Sequence, residues 1–308
     1  MKRIISLIAV LNLIILTFSG CVFDRKKTAL TISGTDIDEQ IYYYYLDRIE
    51  QRPSDYGLDS GFKSSEARDK AIDECVKYLA YNTYFADAGL TLSVADKVSV
   101  ADSVNNLWIR SEEHYKSIGV SRQALTKIIT AETYRDAIFT YLYDSGSDDE
   151  SAENMIKAYF YRNFVAFRSI CAYFTADDGS GRITEQERLA LINSVNSVSS
   201  ASGKDSDSFT GACSEAGFAA SDIAVLEKGS SGYPDGFFEE IYAMSPDEVK
   251  ILEYDENVFA VRKEDIEQLG EGLYSSYRSY CIQTMFADEW SAYMDEYVSL
   301  FKIEKVNV

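Results

Sequence analysis

Few side chains in this 308-residue chain are equipped for chemistry, and their spacing narrows the choice further. There is one histidine, His114, in the polar run Ser111-Glu112-Glu113-His114-Tyr115. A Ser-His-Asp relay would have to be built on it, and metal sites that take several histidines are excluded. Its neighbours are those of a solvated helix end. Five cysteines occur, Cys21, Cys75, Cys171, Cys213 and Cys281, with no CxxC pair and no ligand cluster. Cys75 and Cys281 fall on apolar faces of helical patterns. The last four cysteines therefore read as buried free thiols, although an even number in an exported chain permits disulfides. These residues call for neither a metal nor a cofactor.

Cys21 stands apart. Lys2 and Arg3 open the chain, an apolar run from Ile4 to Leu16 is interrupted only by Ser6 and Asn12, and Phe18-Ser19-Gly20 leads into Cys21. This is the layout of a secretory signal, residues 1–20, that ends at a cysteine. The run is shorter than the ~20 residues a spanning helix requires. The segment resembles the lipobox of bacterial lipoproteins, with Phe18 where an aliphatic residue is usual. That resemblance implies cleavage before Cys21 and a diacylglycerol on its thiol. The mature chain would then be lipid-anchored at the cell membrane, on its extracytoplasmic face. The alternative is an ordinary signal peptide followed by a cysteine by chance. Outside the membrane ATP is scarce, which disfavours nucleotide-driven chemistry.

The chain carries 50 acidic and 30 basic residues, a net charge of −20, and loss of Lys2 and Arg3 with the signal makes it −22. So acidic a body disfavours nucleic acid and is repelled by anionic lipid. At 46% hydrophobic residues it is not a disordered chain. Only three prolines, Pro53, Pro234 and Pro246, suit long helices, and tyrosine is abundant at 23.

The elements that must position these groups follow from periodicity. Residues 29–33 read as a short strand stopped by Gly34, and Asp36 with Glu39 as a cap for a helix to about Glu50. Apolar spacing predicts helices over 64–88, from Ser93 to about Lys116, and from Ser121 past Leu142, with Gly89 and Gly119 as stops. A polar stretch at 145–149 precedes a helix to about Arg162. Near 164 the period changes toward two. Strand 164–174, a turn at 177–181, helices at 184–199 and 209–216, strand 224–226, a glycine-rich loop at 229–236, helix 237–244 and strands 249–252 and 258–262 follow. Residues 266–297 read as the longest helix, and 300–306 as a last strand. The class is α+β: a helical domain built from both chain ends, with an α+β domain inserted. The terminal strands 29–33 and 300–306 are expected to pair.

In that order and spacing the chain resembles the exported SurA/PrsA foldases. Three phrases carry the likeness: Ala88-Gly89-Leu90-Thr91-Leu92-Ser93, Phe167-Arg168-Ser169-Ile170-Cys171-Ala172-Tyr173, and Phe237 to Met244 followed by Glu248-Val249 and Asn257 to Arg262. The resemblance implies an N-terminal helical chaperone-like domain (21–162), a parvulin-like prolyl isomerase domain (163–265), and a C-terminal helix and strand (266–308) that complete the helical domain. It also places the catalytic positions. Ser169 stands where parvulins carry a histidine, Ala216 where they carry Cys or Asp, and Phe259 where they carry a second histidine. The glycine-rich phrase is reduced to Ser221-Asp222-Ile223-Ala224. Phe238 occupies the aromatic position of the proline pocket, and reads equally as ordinary core. Prolyl isomerisation crosses a barrier of roughly 18–20 kcal/mol, and an enzyme lowers it by favouring the twisted amide. Phe259 and Ala216 offer no polar group for that.

Three functions fit these residues. The first is an ATP-independent, membrane-anchored extracytoplasmic chaperone or foldase for unfolded secreted polypeptides, without isomerase activity. The second is an active peptidyl-prolyl isomerase with an unusual site. The third is a non-catalytic accessory lipoprotein for one dedicated partner. Tyr42 to Tyr45 is the densest aromatic run. Four in succession cannot share one helix face, so they either expose a client-binding surface or pack against the insert.

Overall fold

The computed structural model describes residues 27–144, 150–176, 181–203 and 205–308. The signal sequence with Cys21, the polar stretch 145–149 and most of the turn at 177–181 lie outside the described residues. The chain is α+β and divides into two compact units, one of residues up to Leu142 together with Trp290–Val308, the other Tyr143–Glu289. No helix among the described residues is long and apolar enough to cross a membrane.

In the first unit, β1 (Thr28–Ile32) and β2 (Thr35–Asp38) form an antiparallel hairpin. Gly34 ends β1 as its position predicts, and it does so with Ser33: both adopt positive φ, 77° and 46°, and turn the chain straight back into β2. A two-residue turn of that hand matches the twist of the strands it joins. α1 (Glu39–Gln51) is capped by Asp38, which accepts from the Gln40 amide at 3.0 Å. Asp36, expected as part of the cap, instead accepts from Thr31 Oγ1 across the hairpin at 2.9 Å. Three helices follow: α2 (Ser64–Asp87), α3 (Val94–Ser117) and α4 (Arg122–Tyr143). Gly89, at φ 66°, ends α2 while Leu90 N–H donates to Phe85 O at 3.1 Å, the hydrogen bond of a left-handed helix stop.

Tyr42, Tyr44 and Tyr45 of α1 are buried in this unit's own core with Ile49, Cys75, Leu79 and Leu125, and only Tyr43 reaches solvent. Three of the four tyrosines thus serve this unit's own core and do not form a broad client surface. Tyr44 stacks on Tyr115 of α3 and accepts from Arg48 at 2.9 Å, so its hydroxyl is satisfied. His114 lies on the exposed side of α3, its Nε2 3.0 Å from Asp47 Oδ2.

In the second unit, α5 (Glu150–Asn163) leads into β3 (Phe164–Tyr173). Next come α6 (Glu185–Ala201), α7 (Ser206–Glu215), β4 (Ala224–Glu227), α8 (Phe237–Ala243), β5 (Val249–Glu253) and β6 (Asn257–Glu264). α9 (Glu271–Ser299) begins in this unit and ends in the first, where β7 (Ile303–Val306) pairs with β1 through Leu30–Val306 and Ile32–Ile303. The two chain ends thus share a three-stranded sheet of order β2-β1-β7.

The sheet of the second unit is antiparallel, of order β4-β3-β6-β5. Alternate side chains point to opposite sides, with α6 and α7 packed on one face and the short α8 on part of the other. Ile170, Ala172, Val258 and Ala260 pack on Val195 and Val198 of α6 and Phe209 of α7. Val165, Phe167, Phe259 and Val261 pack on Phe237 and Ile241 of α8. At one end Arg168 and Arg262 sit opposite each other across β3 and β6, an unfavourable pairing of like charges. Glu264 offsets it, 2.5 Å from Arg262 Nη1 and 3.4 Å from Arg168 Nε. Asp247, held at φ 66°, also pairs with Arg262. Arg262 and Glu264 are both buried. The four described cysteines are free thiols, with Cys75, Cys213 and Cys281 buried and Cys171 half-buried.

Candidate functional site

The sheet face under α8 does not close over completely. Where β3, β5 and β6 pass beyond that helix they leave a cleft of about 840 Å³. β3 contributes Ser169, Cys171 and Tyr173, alternate residues of one strand that must share a face. β6 contributes Phe259 and Asn257, whose cross-strand partners are Cys171 and Tyr173. The loop before α8 adds Ser231 to Asp235, and the β5–β6 turn adds Glu253 to Glu256.

Aromatic rings form its walls. Tyr233 stacks on Phe237 with ring centroids 4.5 Å apart, and Phe237 in turn lies 4.8 Å from Phe259. Tyr254 meets Phe259 edge-on at 6.1 Å. Phe237 is 1% exposed and fixes the other three rings from behind. Gly236, in the left-handed region at φ 80°, caps the start of α8, and the next residue, Phe237, is buried.

The sequence-derived positions separate. Ser169 and Phe259 both line the cleft, but they are not directly opposite: Ser169 pairs with Val261, and Phe259 with Cys171. The reduced phrase at 221–224 does come beside Ser169, since Ser221 N–H donates to Ser169 O at 2.9 Å and Ser169 N–H to Ser221 Oγ at 3.0 Å. Ala216 caps the end of α7 and packs with the cluster on the opposite sheet face, away from the cleft. Phe238 is buried beside Met244, stacks on Tyr242 at 5.6 Å, and does not line the cleft. The residues that sequence reasoning missed are Tyr233, Tyr254 and Phe237. Tyr254 was within reach, since alternation along β5 puts it on the face of Leu252 and in line with Phe259.

Cys171 is the one thiol in the cleft. Burial raises its pKa, against a hydrogen bond with Tyr173 that acts to lower it, so the protonated form prevails and nucleophilic attack is disfavoured. Burial likewise raises the Tyr233 hydroxyl, which stays neutral. The cleft therefore offers aromatic surface, neutral hydroxyls and a rim of carboxylates, without a histidine.

No family model matches this chain, and no curated protein does. Solved structures do match along most of its length. The foldase protein PrsA from Streptococcus pneumoniae is 11% identical, covering 88% of this chain and 91% of its own, with a TM-score of 0.37. The PrsA foldase of Lactococcus lactis gives 10% identity, 91% and 95% coverage, and a TM-score of 0.40. A structure from the study of two SurA-like chaperones of Campylobacter jejuni gives 11% identity, 91% and 99% coverage, and a TM-score of 0.31. The chain is thus similar to PrsA and SurA-like foldases. With TM-scores below 0.5, its functional reading rests on its own geometry.

Proposed function

We propose that this protein is an ATP-independent chaperone of the extracytoplasmic space that holds unfolded exported polypeptides in the cleft of its second unit and does not isomerise prolyl bonds. The observation that supports this is the cleft itself: an aromatic trough on a sheet whose site positions carry Ser169 and Phe259. A trough walled by aromatic rings takes up the apolar side chains of a bound segment. Lowering the barrier of a prolyl bond needs groups that grip the twisted amide more strongly than the planar one. Ser169 alone, with a protonated Cys171 beside it, supplies little of that. Peptide contact falls to Tyr233 and Tyr254, and not to Phe238, a residue of α8 that stacks on Tyr242.

The chain divides, in this reading, into a signal at 1–20, helical regions at 21–162 and 266–308, and a parvulin-like domain at 163–265, with Cys21 lipidated. Substituting Cys21→Ala then moves the protein out of the membrane fraction. Continued membrane attachment with processing at the same position contradicts the anchor. The chaperone reading is tested on several unrelated denatured clients. The full chain is expected to suppress aggregation of most of them without ATP. Protection of none, with recovery of one dominant partner by crosslinking in intact cells, favours a dedicated accessory lipoprotein instead.

A further inference from the structure

We infer that the cleft of the second unit selects stretches of unfolded chain that carry lysine or arginine, seated against Tyr233 and Tyr254 and held at the rim by Asp235, Asp255 and Glu256. The inference rests on the reading that this cleft takes polypeptide, and adds which polypeptide it prefers.

Charge complementarity carries it. Four carboxylates line the cleft and no lysine or arginine does. Arg188 of α6 pairs with Glu253, so that carboxylate is already compensated. Asp235, Asp255 and Glu256 are solvent-exposed and none of them is held in an ion pair among the described residues. Carboxylates gathered at the mouth of a low-dielectric cleft focus a negative potential on it. The rings beneath add a second attraction, since a cation over the face of an aromatic ring is drawn to its quadrupole. A neutral aromatic segment uses only the walls, and an acidic one meets the rim as like charge.

The whole chain is acidic, so the test separates a local effect from a global one. A fluorescein-labelled, aromatic-rich peptide is made in serine, lysine and glutamate versions and titrated with the full chain by anisotropy. At low salt the lysine version is expected to bind about tenfold tighter than the serine version, and the gap to close at ~1 M salt, where the screening length falls to ~3 Å. The combined variant Asp235→Asn, Asp255→Asn, Glu256→Gln is expected to bring the lysine version down to the serine version and leave the latter unchanged. The control variant Asp102→Asn, Glu113→Gln, Glu267→Gln, with exposed carboxylates that do not line the cleft, is expected to keep the preference. Serine and lysine versions that bind equally, or a preference that survives the rim variant, overturn the inference while the cleft remains a peptide site. No binding of any version overturns both the inference and the reading it rests on.

Discussion

The two units use the same residue type in opposite ways. In the first, tyrosines are core: Tyr42, Tyr44 and Tyr45 are almost wholly buried, and Tyr44 is locked by Arg48 and Tyr115. In the second, Tyr233 and Tyr254 stand at the edge of the core, backed by Phe237 and facing a cleft. The difference lies in what surrounds each ring. α1 is covered on its aromatic side by α2 and by residues of α3 and α4, so its hydroxyls must be satisfied internally. The sheet of the second unit has one short helix, α8, to cover the strand face that α6 and α7 leave bare. Seven residues are too few to close that face, and the uncovered part is the cleft. Abundant tyrosine is thus no guide to binding by itself; incomplete cover of a sheet is.

That contrast breaks most directly at its two anchors. Phe237→Ala leaves a cavity under both cleft tyrosines and is expected to cost about 3–5 kcal/mol. Faster amide exchange should follow in β3 and β6, together with loss of peptide binding. Tyr42→Ala is expected to loosen α1 and α2 and leave peptide binding by the second unit in place. Hydrogen exchange read by mass spectrometry distinguishes them, and identical exchange maps for the two variants would erase the contrast.

The next effect sharpens the account of the second unit's rigidity. Glu264→Ala leaves Arg168 and Arg262 facing each other without their shared carboxylate. Breaking a buried ionic set of this kind costs about 3 kcal/mol, measured as a lower urea midpoint at an unchanged slope.

A smaller effect is expected at Glu153. Burial acts to raise its pKa, but hydrogen bonds from Tyr274 at 2.7 Å and Arg278 at 2.9 Å prevail and hold it below its ordinary 4.5. A carboxyl held low in the folded state stabilises fully above its ordinary value and loses that contribution as pH falls through the lowered one. Glu153→Gln is expected to cost about 1.5 kcal/mol at pH 7, and the gap to wild type should shrink on acidification below about 4.5. A gap independent of pH would place the stabilisation in packing instead.

Much of this architecture is written in local pattern. The change of period near Phe164, the apolar run from Val258 to Val261, and the glycine stops at 89 and 119 lead to β3, β6 and the helix ends that form, and the paired terminal strands follow from their position. β2 escaped because Thr35-Asp36-Ile37-Asp38 offers one apolar residue, and its strand state depends on Ser33 accepting a left-handed turn. The site was legible in part. Ser169 and Phe259 lie in the cleft. Ala216 does not, because α7 packs on the other face of the sheet, a fact of layer order that no short phrase encodes. Phe237 and Phe238 differ by one place, and only the phase set by Gly236 decides which of them backs the cleft. Tyr233 sits in a glycine-rich loop that reads as flexible until Phe237 is seen beneath it.

The central claim is a cleft that binds without catalysing. One measurement addresses it: the relaxation of an aromatic-proline peptide by exchange NMR, with the full chain in increasing amounts, following line position for binding and cis–trans exchange for catalysis in the same sample. The account predicts shifted peptide resonances that are lost in Tyr233→Ala, with the exchange rate equal to that of the free peptide throughout. An exchange rate that rises with the protein and falls back in Tyr233→Ala or Ser169→Ala would contradict it and make the cleft an active isomerase site.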